Sequence, residues 1–203
     1  MQVRPKISIL LVAMGLILVL LPGSGTYSFI EDSGVLSTSV FEDDSYFSVD
    51  QVARLVINED STFQLIDLRT RAEYSKFNIP GAINVPFDEF FNQRPETWLY
   101  NKSIRYIFYS NGELNSSYAL VISRGLGYSN CFAMIGGLNE WFEKVMNSKF
   151  SGERISPREN ALFETRTKAK RFFTDINSLP DSLKMKYAES RRQAERELDG
   201  GCE

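Results

Sequence analysis

The cysteines and the absence of histidine set the first limits on the chemistry available to this chain. The sequence contains two cysteines, Cys131 and Cys202, and no histidine. Without histidine, the Ser–His–Asp and Cys–His nucleophiles and the histidine-ligated metal sites are excluded. Two thiols are too few for a thiolate zinc site or an iron–sulfur cluster within one chain. We therefore expect neither a cofactor nor a metal site.

The two cysteines differ in their surroundings. Cys131 begins a short run of strand type, where a small buried apolar side chain is expected. Cys202 lies in the terminal run 199–203, whose two glycines predict a flexible and exposed thiol. Three interpretations of Cys202 stay open: an incidental thiol, a mobile thiol for persulfide, metal or mixed-disulfide chemistry, and an intermolecular disulfide. The acidic residues of the run disfavour its thiolate.

The composition is that of a chain that folds. It has 203 residues, of which 43% are hydrophobic and 24% are charged, and its formal net charge is −3. This length predicts one domain with additional chain at its ends. Proteins that bind nucleic acids usually carry an excess of basic residues, whereas this chain has a small excess of acidic ones. We therefore expect no nucleic-acid partner.

The N-terminus has the three parts of a targeting segment. Arg4 and Lys6 precede the apolar run 7–21, and Pro22 then leads into the small residues 23–25. This arrangement predicts a bacterial secretory signal peptide that is cleaved near residue 25, and therefore export to the periplasm. The alternative is an uncleaved anchor, in which residues 7–21 hold the protein at the membrane. The run is short for a full membrane span, which favours cleavage.

The rest of the chain divides into three zones. Residues 26–47 mix small, acidic and aromatic residues without periodicity and are interpreted as a leader. Residues 48–147 carry regular strand and helix signals. Residues 148–203 are rich in both charges and poor in β-branched residues, which predicts helices over about 158–173 and 181–198 followed by a flexible tail. We expect this helical extension to be only loosely attached.

Two capping boxes and several apolar runs define the central zone. Ser48 with Gln51, and Thr70 with Glu73, each match the capping-box pattern at a helix start. Runs of strand type lie at 63–68, 83–85, 104–109 and 131–135, and a helix is expected over 116–126. Strands that alternate with helices predict an α/β fold in which a parallel sheet is covered on both faces.

Four separated motifs resemble one family. Residues 65–74 and 79–86 resemble the N-terminal signature of rhodanese-like domains, and residues 126–128 and 136–141 resemble its closing motifs, in the same order and spacing. The resemblance covers about 48–147. It implies a small α/β sandwich with a central parallel sheet flanked by helices, to which this chain adds an N-terminal signal segment and a C-terminal helical extension.

The resemblance also implies where the chemistry of this family lies. Active members carry a cysteine, which holds sulfur as a persulfide, at the first position of a six-residue loop between a strand and a helix. Here that position is Ser110, and the helix is expected to start near Ser116. A serine hydroxyl cannot form a persulfide. The complete loop is Ser110, Asn111, Gly112, Glu113, Leu114 and Asn115.

Three further features of this loop depart from the family pattern. Asn115 stands where the family often has arginine, so an anion loses a bidentate partner. Glu113 adds a negative charge to a loop that is expected to hold anions. Gly112 lies one position earlier than usual. We therefore predict a catalytically inactive domain that binds or scaffolds an unknown protein or small ligand outside the cytoplasm. The alternative is a sulfurtransferase, or a thiol or persulfide carrier, that uses Cys202.

Overall fold

A five-stranded parallel sheet forms the centre of the protein. The computed structural model describes residues 43–90, 92, 95–149 and 156–199. The strands are β1 Tyr46–Phe47, β2 Phe63–Asp67, β3 Ile83–Asn84, β4 Arg105–Tyr109 and β5 Cys131–Met134. Their order in space is β1-β5-β4-β2-β3, and every neighbouring pair is parallel.

Helices connect the strands and extend the chain beyond them. They are α1 Val49–Ile57, α2 Arg71–Lys76, α3 Phe87–Phe90, α4 Leu114–Gly125, α5 Gly137–Glu140, α6 Pro157–Asn177 and α7 Asp181–Asp199. A π-helical turn, Trp141–Met146, continues α5, and short 3-10 turns lie at Asp43–Ser45 and Pro95–Thr97. Both predicted capping boxes are confirmed, since Ser48 caps α1 with Gln51 and Thr70 caps α2 with Glu73.

The sheet separates two apolar layers. Leu65 and Ile107 face a core shared with α1, α5, the π-helical turn and α6. The adjacent residues Ile66 and Phe108 face a second core shared with α3 and α4. This alternation follows from the two-residue period of a strand, and both layers are fully buried. The predicted parallel sheet flanked by helices, with a C-terminal helical extension, is confirmed.

The extension is firmly attached, so the expectation of loose attachment is wrong. Phe173 of α6 is 5% exposed and belongs to the first core. Its ring lies 5.7 Å from that of Phe142 and 6.2 Å from that of Trp141, measured between centroids. A few large apolar side chains are enough to anchor a mainly polar helix, because each aromatic ring buries a large area. The polar composition of residues 151–203 gave the expectation of loose attachment, because it does not show that Phe173 packs in the core.

Polar contacts between residues far apart in sequence also hold the extension. Asn177 receives a hydrogen bond from the Asn78 N–H (2.9 Å) and donates one to the Asn78 carbonyl (2.8 Å). On α7, the Arg191 guanidinium donates to the Asp60 carbonyl (2.8 Å) and lies 5.4 Å from the centre of the Phe63 ring. Arg191 therefore ties the last helix to the sheet, and Tyr187 of the same helix packs against the Phe172 ring of α6, with 6.0 Å between the ring centroids.

The strand β1 lies within the segment that the sequence assigned to a leader. Tyr46 and Phe47 pair with Ala133 and Met134 of β5, at one edge of the sheet. Two residues carry no local pattern, so this pairing is set by β5 alone. The predicted signal segment 1–25 lies outside the described residues. Among the residues that are described, no helix combines the length and apolar composition needed to cross a membrane.

Candidate functional site

The loop identified from the sequence follows β4, beside the end of β2. Ser110 comes directly after Tyr109, and Tyr109 is paired in register with Asp67 of β2. The ends of neighbouring parallel strands meet at one edge of a sheet, where ligands commonly bind in open α/β folds. The loop therefore lies above Asp67 and the residues that follow it.

A buried ion pair supports the floor of this region. Arg69 binds Asp67 through Nη2 at 2.6 Å and through Nε at 3.0 Å, and the two side chains are 1% and 0% exposed. Arg69 also donates to the Phe77 carbonyl at 2.7 Å. Burial by itself would lower the pKa of Arg69, but the hydrogen bond and the charge of Asp67 outweigh burial and raise the pKa. Arg69 and Asp67 therefore tie the end of β2 to the loop that follows it.

Tyr109 connects the same ion pair to the next turn. Its hydroxyl contacts Asp67 and accepts a hydrogen bond from the Ile79 N–H at 3.2 Å. Burial, and then the charge of Asp67, raise the pKa of Tyr109 well above its usual range. The phenol therefore stays protonated and acts as a structural crosslink below the loop.

The loop is shorter than the sequence predicted. Helix α4 begins at Leu114, two residues before the expected start at Ser116, so only Ser110–Glu113 lie outside helix and strand. The Glu113 carbonyl accepts the first helical hydrogen bond from Ser117 N–H (3.0 Å) and another from the Ser116 hydroxyl (2.8 Å). Ser116 is fully buried within the first turn of α4, where its hydroxyl donates to the Glu113 carbonyl.

The loop carbonyls are fixed by the helix α5. The Ser110 carbonyl accepts from the Leu138 N–H, and the Asn111 carbonyl accepts from the Asn139 N–H, both at 2.9 Å. Gly137, the first residue of α5, has a φ of +59°. The C=O and N–H groups of a peptide unit point in opposite directions. Because these carbonyls point towards α5, the N–H groups of the same peptide units point away from it.

Donors in and after the loop are not used within the described part of the protein. The Ser110 side chain is 7% exposed, and its hydroxyl makes no hydrogen bond to any described residue. The N–H groups of residues 111–116 likewise find no acceptor among the described residues. The first N–H groups of a helix have no acceptor within the helix, so these donors are available to a ligand that carries an acceptor.

A fixed negative charge lies at the mouth of the loop. The Glu73 carboxylate accepts from the Asn111 amide (2.7 Å) and from the Thr70 hydroxyl (2.6 Å). The hydrogen bond from Thr70, followed by that from Asn111, lowers the pKa of Glu73. Glu113 is exposed beside it. Glu73 was recognised in the sequence only as a cap of α2, and its contact with the loop could not be seen there.

The remaining candidate residues lie apart from the loop. Cys131 is fully buried at the start of β5, as predicted, and burial raises the pKa of its thiol to about 12. Cys202 lies outside the described residues. Within the described ranges, no group of three or more cysteine, aspartate or glutamate side chains could hold a metal ion.

A cavity that no sequence motif predicted lies between α2 and α7. Its volume is about 740 Å³, and it is bordered by both polar and apolar side chains. Tyr74 and Gly81 come from the sheet side, while Lys184 and Arg192 come from α7. The docking of the extension creates this cavity, so no local motif predicts it.

Comparisons with known proteins give the family. The family model described as "Rhodanese-like domain" matches residues 48–144. The chain is 26% identical over 112 residues to the adenylyltransferase and sulfurtransferase uba4 of Ogataea parapolymorpha, covering 55% of this chain and 27% of that protein. It is 28% identical over 117 residues to the tRNA uridine(34) hydroxylase of Yersinia enterocolitica, covering 54% of this chain and 33% of that protein.

A solved structure matches the same part of the chain. The single-domain sulfurtransferase RDL2 of Saccharomyces cerevisiae aligns with a TM-score of 0.44 and 21% identity, covering 51% of this chain and 93% of that one. The chain spans no more than about a third of the length of the two curated relatives. Its residues 48–144 form a rhodanese-like domain.

Proposed function

We propose that this rhodanese-like domain is catalytically inactive and acts as a binding module. The observation that carries the proposal is the side chain at the end of β4, where the family resemblance places the sulfur-carrying cysteine of active members. The residue there is Ser110, whose buried hydroxyl has no partner among the described residues. A serine oxygen cannot be converted into a persulfide. The loop therefore lacks the sulfur atom that carries out the family's defining step.

A serine nucleophile is also poorly supported. The chain has no histidine to take the hydroxyl proton. Glu73 is the carboxylate tied to the loop, but its hydrogen bonds from Thr70 and Asn111 lower its pKa and make it a weak base. Efficient proton transfer needs a base whose pKa lies near the working pH. Ligand binding therefore accounts for the loop better than hydrolysis does.

The module retains groups that can hold a neutral acceptor. The N–H groups of residues 111–116 and the Ser110 hydroxyl are donors without partners in the described part of the chain. Carboxylates at Glu73 and Glu113 disfavour an anionic ligand through repulsion of like charges. A carbonyl oxygen, such as that of a peptide, satisfies the donors without this cost.

A sulfur-transfer assay tests the proposal against its alternative. The wild-type chain should transfer no sulfur from thiosulfate to cyanide above the rate without protein. Activity that disappears in Cys202→Ser would establish the alternative, in which the tail thiol carries the persulfide. Activity that persists in Cys202→Ser would contradict both, because the other thiol, Cys131, is fully buried with a raised pKa.

Restoring the cysteine alone should give little activity. In Ser110→Cys, the start of α4 favours a thiolate by about 0.3–1 kcal/mol. Two unit charges 4 Å apart repel by about 4 kcal/mol at an effective dielectric constant of 20, and by about half of that at twice the distance. Solvent screening weakens the repulsion by Glu113, but it remains comparable to the helix contribution. We expect slow alkylation of the new thiol by iodoacetamide at neutral pH, measured in a Cys202→Ser background.

The triple variant provides the matched comparison. Adding Glu113→Gly and Asn115→Arg to Ser110→Cys removes the repulsion and supplies a positive charge, and alkylation should become faster by an order of magnitude or more. Ready persulfide formation in the single variant would show that the loop still activates a thiol. That result would mean that the natural chain is inactive only because residue 110 carries an oxygen where active members carry a sulfur.

The proposal includes action outside the cytoplasm. It rests on the basic start, the apolar run 7–21 and the small residues 23–25 of the sequence. Sequencing of the mature N-terminus from cells should find a start near residue 26. A cytoplasmic form that retains residue 1 would remove this part of the proposal and leave the binding module intact.

A further inference from the structure

Exposed apolar side chains adjoin the loop. Leu114 is 65% exposed and Tyr118 is 52% exposed, and they lie one turn apart on the same side of α4. The half-buried ring of Phe87 lies 6.5 Å from that of Tyr118, which extends the surface onto α3. Single exposed apolar residues are common, but a contiguous group beside a set of unused donors is typical of an interaction site.

The same mouth carries two acidic side chains. Glu113 adjoins Leu114 in the chain, and Asn111, which binds Glu73, lies three residues before Leu114. Consecutive Cα atoms are about 3.8 Å apart, so both acids lie close to the apolar surface. Among the described residues, no lysine or arginine forms an ion pair with either acid, because the nearby Arg69 and Arg71 are paired with Asp67 and Glu89.

The Ser110 hydroxyl gives an independent indication of a ligand. The residue is 7% exposed, and its hydroxyl has no hydrogen-bond partner among the described residues. It is not one of the unpaired polar atoms that are completely sealed from solvent, so it reaches the mouth of the loop. A bound acceptor can therefore reach this hydroxyl and take its hydrogen bond.

We propose that this mouth binds an extended peptide segment of another protein that is both basic and apolar. A backbone carbonyl of the segment accepts from Ser110 and the loop N–H groups, a lysine or arginine side chain lies against Glu73 and Glu113, and an apolar side chain packs on α4. This inference rests on the proposed binding-module function and names its partner. Charge complementarity selects the basic segment over an acidic one.

Peptide binding tests the inference directly. The probe is a short, fluorescently labelled peptide in which lysines and leucines are separated by glycines, titrated with the full chain and followed by anisotropy. Two matched peptides replace the lysines with glutamate or the leucines with alanine. We expect the parent peptide to bind at least about tenfold more tightly than either, with an affinity that falls as salt is added.

Variants of the chain locate the site. Glu73→Gln combined with Glu113→Gln removes both charges, and glutamine still supports the capping box with Thr70, although its NH2 group cannot accept the hydrogen bond from the Asn111 amide. This variant, and separately Tyr118→Ala, should each weaken binding of the parent peptide by about tenfold. Glu164→Gln, an exposed acid on α6, is the matched control and should leave binding unchanged. Unchanged thermal unfolding confirms that each variant is folded.

The outcomes separate this inference from the proposed function. Equal binding of the glutamate peptide, no binding of the parent peptide at millimolar concentration, or binding that is unaffected by the paired glutamate variant would each overturn the basic-peptide inference. None of these results makes the domain an enzyme. Sulfur transfer by the wild-type chain would instead overturn the proposed function, whatever the peptides do.

Discussion

Asp67→Ala should lower the free energy of unfolding by about 3–5 kcal/mol, the usual cost of removing one partner of a buried ion pair. The change leaves the Arg69 guanidinium in a site where it is 1% exposed, with only the Phe77 carbonyl as a neutral acceptor. It also removes the contact of Asp67 with the Tyr109 hydroxyl. Urea unfolding monitored by tryptophan fluorescence measures the loss.

Two controls show that the loss comes from burial. Arg71→Ala breaks the ion pair with Glu89, whose partners are 72% and 35% exposed, and should leave the free energy of unfolding almost unchanged. Replacing both Asp67 and Arg69 with apolar residues of similar size should cost less than Asp67→Ala, because no charge is left buried without a partner. A small effect of Asp67→Ala would mean that water reaches Arg69.

Gly137→Ala should be the second most damaging single change. A φ of +59° is unfavourable for any residue with a Cβ, by about 1–2 kcal/mol. The new Cβ would lie 2.5 Å from the Ser110 carbonyl oxygen, 2.7 Å from that of Gly112 and 2.9 Å from that of Asn111. These are backbone atoms that cannot rotate away, so the loop must move. We expect a total loss of about 3 kcal/mol in the free energy of unfolding, measured by urea denaturation.

Gly112→Ala is the matched control within the same loop. A Cβ at this position meets no atom within 4 Å, and its φ lies outside the left-handed region. Stability should be unchanged or slightly higher, because alanine restricts the unfolded chain. If Gly137→Ala were tolerated as well as Gly112→Ala, the close approach of α5 to the loop would not exist in solution. Amide exchange at Leu138 and Asn139 would then be fast in the wild-type chain.

Local signals predicted most of the fold. The pair Thr70 and Glu73 predicted the start of α2, because a capping box needs only residues three positions apart. The turn at Pro80-Gly81 is also local: the Ala82 N–H donates to the Ile79 carbonyl at 3.1 Å, and Gly81 has a φ of +82°. Capping boxes and tight turns depend only on residues a few positions apart, so they can be predicted from a single sequence.

Features that depend on distant residues could not be predicted in the same way. The burial of Ser116 in the first turn of α4 depends on packing, and β1 depends on its pairing with β5. The negative mouth of the loop depends on Glu73, which is 38 residues from Asn111 in the chain. The Ser110 position was identified from the motifs around it, but only the packed structure shows that its hydroxyl has no hydrogen-bond partner among the described residues.

The packing of Phe173 makes the order of synthesis important. The rings of Trp141 and Phe142 lie 6.2 and 5.7 Å from that of Phe173, between centroids. A ribosome that adds about 5–20 residues per second produces the Trp141–Phe173 interval in about 2–6 s. During that time every strand of the sheet already exists, while one side of its core is still open to solvent. The newly made chain therefore exposes the rings of Trp141 and Phe142 for seconds. A chaperone that recognises aromatic segments can bind the chain during this interval.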